Sequence, residues 1–318
     1  MVDWKPGTST ETLHLRAKLL AEIRQFFADR GVLEIDTPLL SPYTVTDVYI
    51  QSLETKLSNS PVAVPYFLQT SPEFAMKRLL AAGVGSIYQI CKAFRQGETS
   101  KVHNPEFTIL EWYRTGYSMI QLMDEVESLI CQLLNFSPMP RLSYRQLFEQ
   151  FLSINPYTVT GEELRRIAES HIELNGDSLT DTDYLQLLMS ACIEPQMPEH
   201  CFVYDYPVPQ AALAAVEKNK YGEPVAKRFE LYCQRMELAN GYYELTNLEE
   251  QLVRFESDLD VRKNLQLPTY PVDEKYLAAM KNGLPECAGV ALGIDRLIMI
   301  ASGASTMDEV MTFTIDRI

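Results

Sequence analysis

Four stretches of this 318-residue chain hold side chains that could do chemistry. The first, FRQGETSKVHNPEFTILEWY, spans residues 94–113. Arg95 is a planar, two-pronged donor for a phosphate or carboxylate, and Glu98, His103 and Asn104 add polar groups suited to a purine edge. Phe107 could stack on such a base. The second, GVALGIDRL at 289–297, offers two glycines where backbone can approach a ligand closely and sets Arg296 at the opening of a helix. The third, ELANGYYEL at 237–245, carries Glu237, Asn240 and Glu244 in an otherwise apolar segment, and buried acids need a cation, a metal or an amine. The fourth, TSPEFAMKRLLAAG at 70–83, places Glu73 near the start of a helix that Ser71 could cap. Taken singly, each has an ordinary account: a solvated hairpin, packing glycines, an internal ion pair, a capping acid.

The elements that must position these groups read as a mixture of helices and strands. Thr8 to Glu11 spells a T-x-x-E capping box, and Leu19, Leu20, Ile23, Phe26 and Phe27 recur on one face of a helix over about 9–30, which Gly31 ends. VLEIDTP alternates as a strand until Pro38, which has no backbone donor. Residues 86–94 and 106–113 are β-prone and flank a polar loop, so Arg95 sits at a strand end. Residues 141–200 read as mostly helical, with a capping box from Thr160 to Glu163 and ten acids to four bases. FVYDYPV at 202–208 and the run 229–245 read as strands, and GVALGIDRL as a strand entering a helix. Neither repeats nor a linker demand a second domain.

A net charge of -15 repels phosphate backbones, and no basic run offsets it. Cys91, Cys131, Cys192, Cys201, Cys233 and Cys287 form no C-x-x-C pair, which fits reduced thiols in a cytosol. No run of about 18 apolar residues suggests a membrane span.

Together, and in this order, the stretches resemble the catalytic core of class II aminoacyl-tRNA synthetases, and within them the lysyl enzymes. GVLEIDTPLL is similar to motif 1, FRQGE with HNPEFT to motif 2, and GVALGIDRL to motif 3; TSPE, LEWY and ELANGYYEL are similar to the lysine-pocket segments. The resemblance covers nearly the whole chain. It implies an α+β fold in one domain over 1–318, an antiparallel sheet flanked by helices with a helical insertion at about 141–200. It also implies a homodimer through motif 1, with ATP and Mg²⁺ as cofactors.

The chemistry implied is activation of an amino acid as its adenylate, followed by displacement of AMP by an amine, work done by positioning and charge rather than by a covalent nucleophile. By resemblance Arg95 and Arg296 are the catalytic arginines, the first on the α-phosphate and substrate carboxylate, the second on the γ-phosphate. Gly97, Glu98, His103, Asn104, Phe107, Glu237, Leu238 and Gly293 complete the ATP site, and Glu230 with Glu237 hold Mg²⁺. Ser71, Pro72, Glu73, Tyr113, Asn240, Glu244 and Ala291 line the lysine site, Glu73 taking the backbone-type amine and Glu244 the side-chain ammonium. The family's motif 2 has glutamate two residues after its arginine, where this chain has Gly97 and then Glu98. Ala291 stands where such synthetases usually have glycine, and its methyl would favour an amine on the β-carbon over ordinary α-lysine.

Motif 1 begins by about residue 31, which leaves no room ahead of it for the anticodon-binding domain of a lysyl-tRNA synthetase. A core of this kind resembles the stand-alone paralogues that attach (R)-β-lysine to a lysine of translation elongation factor P, with no tRNA and no membrane expected as partner. Two other readings stand beside it: a truncated synthetase charging tRNA or making free lysyl adenylate, and an inactive lysine-binding regulatory module.

Overall fold

The structure is a computed structural model describing residues 4–57, 65–173 and 179–318. Contacts divide the chain into two compact units, Met1–Phe136 with Thr246–Ile318, and Ser137–Leu245. The first unit opens with α1 (Thr10–Ala28), the short strands β1 (Leu33–Glu34), β2 (Leu40–Ser41), β3 (Glu54–Thr55) and β4 (Tyr66–Leu68), and α2 (Glu73–Ala81). The long strands β5 (Ile87–Phe94) and β6 (Glu106–Thr115) follow, then α3 (Met119–Leu134). The second unit holds β7 (Arg141–Ser143), α4 (Tyr144–Leu152), α5 (Gly161–His171), α6 (Asp181–Leu188), β8 (His200–Tyr206), β9 (Val216–Lys218), β10 (Pro224–Cys233) and β11 (Met236–Tyr243). Four elements return to the first unit: α7 (Leu248–Asn264), α8 (Glu274–Gly283), β12 (Cys287–Gly293) and α9 (Ile294–Ser302).

In the first unit β5 pairs antiparallel with β6, β6 antiparallel with β12, and β1 lies parallel along β5. Successive residues of a strand point to opposite faces, and cross-strand partners share one. Trp112 and Tyr88 are such partners, and both meet Phe27 of α1, the tyrosine stacked at 4.4 Å and the tryptophan edge-on at 5.3 Å. Glu111 and Tyr113 therefore point to the other face, where β12 contributes Ala291 opposite Glu111 and Gly289 opposite Tyr113. Leu19, Ile23, Phe26 and Phe27 are the buried stripe of α1, as the periodicity predicts.

Two local expectations are corrected. The cap of α1 is Ser9, whose Oγ accepts from the Thr12 amide at 3.1 Å; Thr8, one residue before the cap, donates its hydroxyl to the Glu309 carbonyl at 2.7 Å. The strand expected from VLEIDTP contracts to Leu33–Glu34, with one more bond from the Ile35 amide to Tyr88 before the chain leaves the sheet.

In the second unit β11 pairs antiparallel with β10 and β10 with β8, β7 lies parallel to β8, and β9 pairs with the start of β10. Its sheet, like that of the first unit, is antiparallel apart from one short parallel edge strand. The expected helical stretch at 141–200 supplies α4, α5 and α6, which bury Leu147, Phe148, Leu164 and Leu188 in one apolar cluster. Ser143, Thr160 and Thr180 cap these helices through their hydroxyls. Among the described residues no helix is long and apolar enough to cross a membrane.

Replacing Phe27 by Ala removes a ring that is 0% exposed and joins α1 to two strands. Chemical denaturation is expected to show a loss of about 3–5 kcal/mol. A loss below about 1 kcal/mol would mean that α1 does not depend on this stack.

Candidate active site

In the first unit the loop between β5 and β6 is short of regular structure but rich in bonds. The Arg95 amide donates to the Pro105 carbonyl at 2.9 Å, closing the base of the loop. Gly97 turns the chain with φ of +82°, a value that suits glycine, and this carries Glu98 back to within 3.6 Å of the Arg95 guanidinium. Glu98 is thus the carboxylate that lies beside Arg95. The guanidinium lies 5.1 Å from the Phe107 ring centre, and Arg95 Nε is buried without a hydrogen-bond partner. A preorganised arginine with a spare buried donor fits an anionic oxygen.

His103 closes the tip of the loop. Arg296 Nη2 lies 2.6 Å from its Nε2, and because arginine only donates, Nε2 must accept. The ring is therefore neutral, with its proton on Nδ1, which donates to Ser100 Oγ at 2.8 Å. Burial, and then the Arg296 charge, hold the His103 pKa below its ordinary value, consistent with this tautomer. Asn104, expected to meet ATP, is only 5% exposed and spends its amide on backbone: Nδ2 donates to the Glu106 carbonyl at 2.6 Å and Oδ1 accepts from the Ile315 amide at 2.9 Å. Its role is to pin the loop.

Arg296 stands on the first turn of α9, whose start is fixed by a buried acid. Asp295 accepts from Arg16 Nη1 and from the Thr108 amide, both at 2.6 Å, tying α9 to α1 and β6. A Cβ at Gly293 would make only ordinary contact with the Arg296 side chain, so glycine here leaves that arginine room rather than relieving strain.

The amino-acid residues expected in this unit form a second cluster. Ser71 Oγ donates to Glu111 at 2.6 Å and accepts from the Glu73 amide at 3.1 Å, so it both starts α2, after Pro72 at the cap position, and holds an acid. Tyr113 donates to Glu111 at 2.7 Å. Glu73 pairs with Lys77 at 2.5 Å, and Lys77 is only 1% exposed. Glu111 and Lys77 were not singled out by sequence. Burial, then the Glu73 charge, raise the Glu111 pKa to about 7, opposed by its bonds to Ser71 and Tyr113 and by Lys77. A buried carboxylate, Glu111, and a half-buried one, Glu73, beside one buried ammonium carry one negative charge in excess when both are ionised.

The second unit carries the remaining acids on the β10–β11 hairpin. Its turn, Gln234–Arg235, has φ of +51° and +58°, the paired left-handed residues that a two-residue hairpin demands. Glu230 faces Asn240 in register, and the Asn240 amide lies 3.4 Å from Glu230 and 3.5 Å from Glu237. Asn240 Oδ1 is buried without a partner. Two carboxylates and an unused amide oxygen are hard oxygen donors of the kind that Mg²⁺ takes together with substrate phosphates. Among the described residues no three His, Cys, Asp or Glu side chains converge as a complete metal cage. Arg228 pairs with Glu230, and Tyr232 donates to Glu230 at 2.7 Å. Leu238 and Glu244 are each 2% exposed, and Glu244 bridges by its backbone to Ala214.

The comparisons place the chain: residues 1–317 match the family of class II tRNA synthetases (D, K and N), and the chain belongs to that family. Its relatives are more specific. It is 46% identical over 324 residues to the elongation factor P–(R)-β-lysine ligase of Hamiltonella defensa subsp. Acyrthosiphon pisum (strain 5AT), covering 99% of this chain and 98% of the relative. The ligases of the same name from Photorhabdus laumondii subsp. laumondii and Salmonella dublin are 46% and 45% identical, with the same coverage.

A pKa of about 7 at Glu111 gives amine binding a definite pH dependence. An ammonium binds the ionised form, so affinity is expected to rise with pH up to about 7 and then level off, by at most about tenfold per unit. KM for the amino acid measured between about pH 5.5 and 8.5 checks this, and Glu111→Gln is expected to weaken binding and flatten the profile. A flat profile in the unmodified enzyme would contradict it.

Proposed function

We propose that the protein is an ATP-dependent ligase that activates (R)-β-lysine, and less well α-lysine, as an adenylate and transfers it to a lysine ε-amine of translation elongation factor P. The observation that carries this reading is the buried Glu73–Lys77–Glu111 cluster, short of one positive charge, in a member of the class II synthetase family. A buried, unpaired carboxylate costs roughly 3–5 kcal/mol, so such a site selects ammonium-bearing amino acids over neutral ones. The names of the relatives, at 44–46% identity over 99% of the chain, support the donor and the acceptor.

In this reading Arg95 bridges the substrate carboxylate and the α-phosphate as negative charge gathers there, with Glu98 holding its guanidinium in place. Arg296 takes the γ-phosphate, and its bond to His103 keeps it extended until ATP arrives. Phe107 stacks on adenine, with Gly97, Leu238 and Gly293 shaping the nucleotide site. Glu230 and Glu237 would hold Mg²⁺, which would neutralise the polyphosphate. Glu73 takes one amine of the substrate, while Tyr113, Glu244 and Asn240 read the other; the bonds of Glu111 to Ser71 and Tyr113 support adding it to this set. No side chain forms a covalent intermediate; the arginines act by charge already in position, and losing Arg95 is expected to cost about 3 kcal/mol or more of transition-state stabilisation.

Leu33, Leu39 and Leu40, 54%, 39% and 39% exposed, lie in the segment resembling motif 1 and support a homodimer built through it. The charge of -15 disfavours tRNA as acceptor. A cytoplasmic location follows from the acceptor.

Ala291 is the cross-strand partner of Glu111, so its methyl lies on the strand face that carries the ammonium-binding acid. Ala291→Gly is expected to raise kcat/KM for α-lysine relative to (R)-β-lysine, read by pyrophosphate exchange with each; an unchanged ratio would remove Ala291 from the specificity determinants. The function itself is tested by intact mass of elongation factor P after incubation with enzyme, Mg·ATP and either isomer. A lysyl-sized gain, faster with the β-isomer, is expected; adenylation without any gain would point to a different acceptor.

A further inference from the structure

The loop that carries Arg95 and His103 is held from outside by a segment distant in sequence. The Met307 amide donates to the Lys101 carbonyl at 2.8 Å, and the Ile315 amide donates to Asn104 Oδ1 at 2.9 Å. Asn104 passes this restraint on, since its Nδ2 donates to the Glu106 carbonyl at the start of β6. Two short 3₁₀ turns, Met307–Glu309 and Ile315–Arg317, are thereby joined to the tip and the returning arm of one loop.

An ion pair fixes the two turns relative to each other. Arg317 donates to Asp308 through both prongs of its guanidinium, Nε to Oδ1 at 2.5 Å and Nη2 to Oδ2 at 2.9 Å. The Thr314 hydroxyl donates to the same Oδ1 at 3.2 Å. The Arg317 bonds are the foremost cause that holds the Asp308 carboxyl below its ordinary range. Because the pair closes residues 308–317 into a ring, it sets where Ile315 presents its amide. The other side of the ring rests on the chain ahead of α1: the Thr8 hydroxyl donates to the Glu309 carbonyl at 2.7 Å, and the Gly7 amide to the Thr312 carbonyl at 3.2 Å. A Cβ at Gly7 would stand 2.5 Å from the Asp308 carbonyl oxygen, so the two segments approach this closely only because residue 7 has no side chain.

Arg317 and Asp308 are 30% and 38% exposed, and a pair so placed adds little to global stability. Its two-pronged geometry acts locally instead. We infer that Arg317 is a positioning residue: through Asp308 it places the Ile315 amide, which holds Asn104, and so it sets the loop that presents Arg95 to ATP. The inference rests on the proposed function for the ligand of that loop.

The test compares Arg317→Ala, Arg317→Lys and Gly7→Ala with the unmodified enzyme. Hydrogen–deuterium exchange of the peptide spanning residues 95–106, measured without ligand, is expected to quicken by about fivefold or more in Arg317→Ala and Gly7→Ala, while peptides of α3 keep their rates. In pyrophosphate exchange, kcat/KM for ATP is expected to fall by about fivefold in the same two variants. Arg317→Lys keeps the charge without the fork, and both of its readings are expected to lie between those of Arg317→Ala and the unmodified enzyme. An unchanged loop rate in Arg317→Ala overturns the inference. Quickening of equal size in α3 also overturns it, because that would mark a merely structural role. If the loop quickens as expected while kcat/KM for ATP stays the same, the positioning role of Arg317 stands and ATP falls as the ligand of the loop.

Discussion

Two carboxylates, the half-buried Glu73 and the buried Glu111, share one buried ammonium, Lys77, and much of the first unit is arranged to make that tolerable. An acid that is 2% exposed keeps its charge only if donors surround it, and Ser71 and Tyr113 both donate to Glu111. Placing those donors requires the start of α2 beside β6, and β6 in register with β12 so that Ala291 and Gly289 leave space opposite the acid and the phenol. On the far face of β6, Trp112 packs against Phe27 of α1, so the helix that buries the core also fixes the strand that carries the acid. Even so the cluster lacks one positive charge, and the pKa of about 7 at Glu111 records that deficit.

The same economy governs the loop that would meet ATP. Arg95 has Glu98 beside it at 3.6 Å, and Arg296 has a neutral His103. The structural burden falls on other residues. Asp295 locks the start of α9, and Asn104 locks the loop, each through backbone amides that a ligand would not displace. A site that must bind anions does best when its arginines are positioned without being neutralised.

Much of this was legible in the sequence. The stripe on α1, the β5–β6 pair around its loop, and the strand entering α9 are strong periodic or glycine-marked signals, and they appear where expected. Boundaries that depend on tertiary partners were less legible: Thr8 looks like a cap, but the cap is Ser9, one residue later, and the Thr8 hydroxyl donates to the Glu309 carbonyl. Glu111 and Lys77 left faint signals, an acid inside an otherwise apolar strand and a lysine four residues after Glu73 on a helix, and both became meaningful only when the fold brought them together. Asn104 shows the reverse, since its polar type in a ligand-binding motif suggested a contact, while its actual bonds are to backbone.

The central claim is that the substrate ammonium completes the charge of the Glu73–Lys77–Glu111 cluster. Calorimetric binding of (R)-β-lysine near pH 7, in buffers of different ionisation enthalpy, counts the protons exchanged on binding. With the Glu111 pKa at about 7 the group is half protonated before binding, and an arriving ammonium drives that proton off. The account predicts release of about half a proton per lysine bound, vanishing as pH rises above about 8. Binding with no proton released at pH 7 would contradict it, because the acid would then be either already ionised or uninvolved.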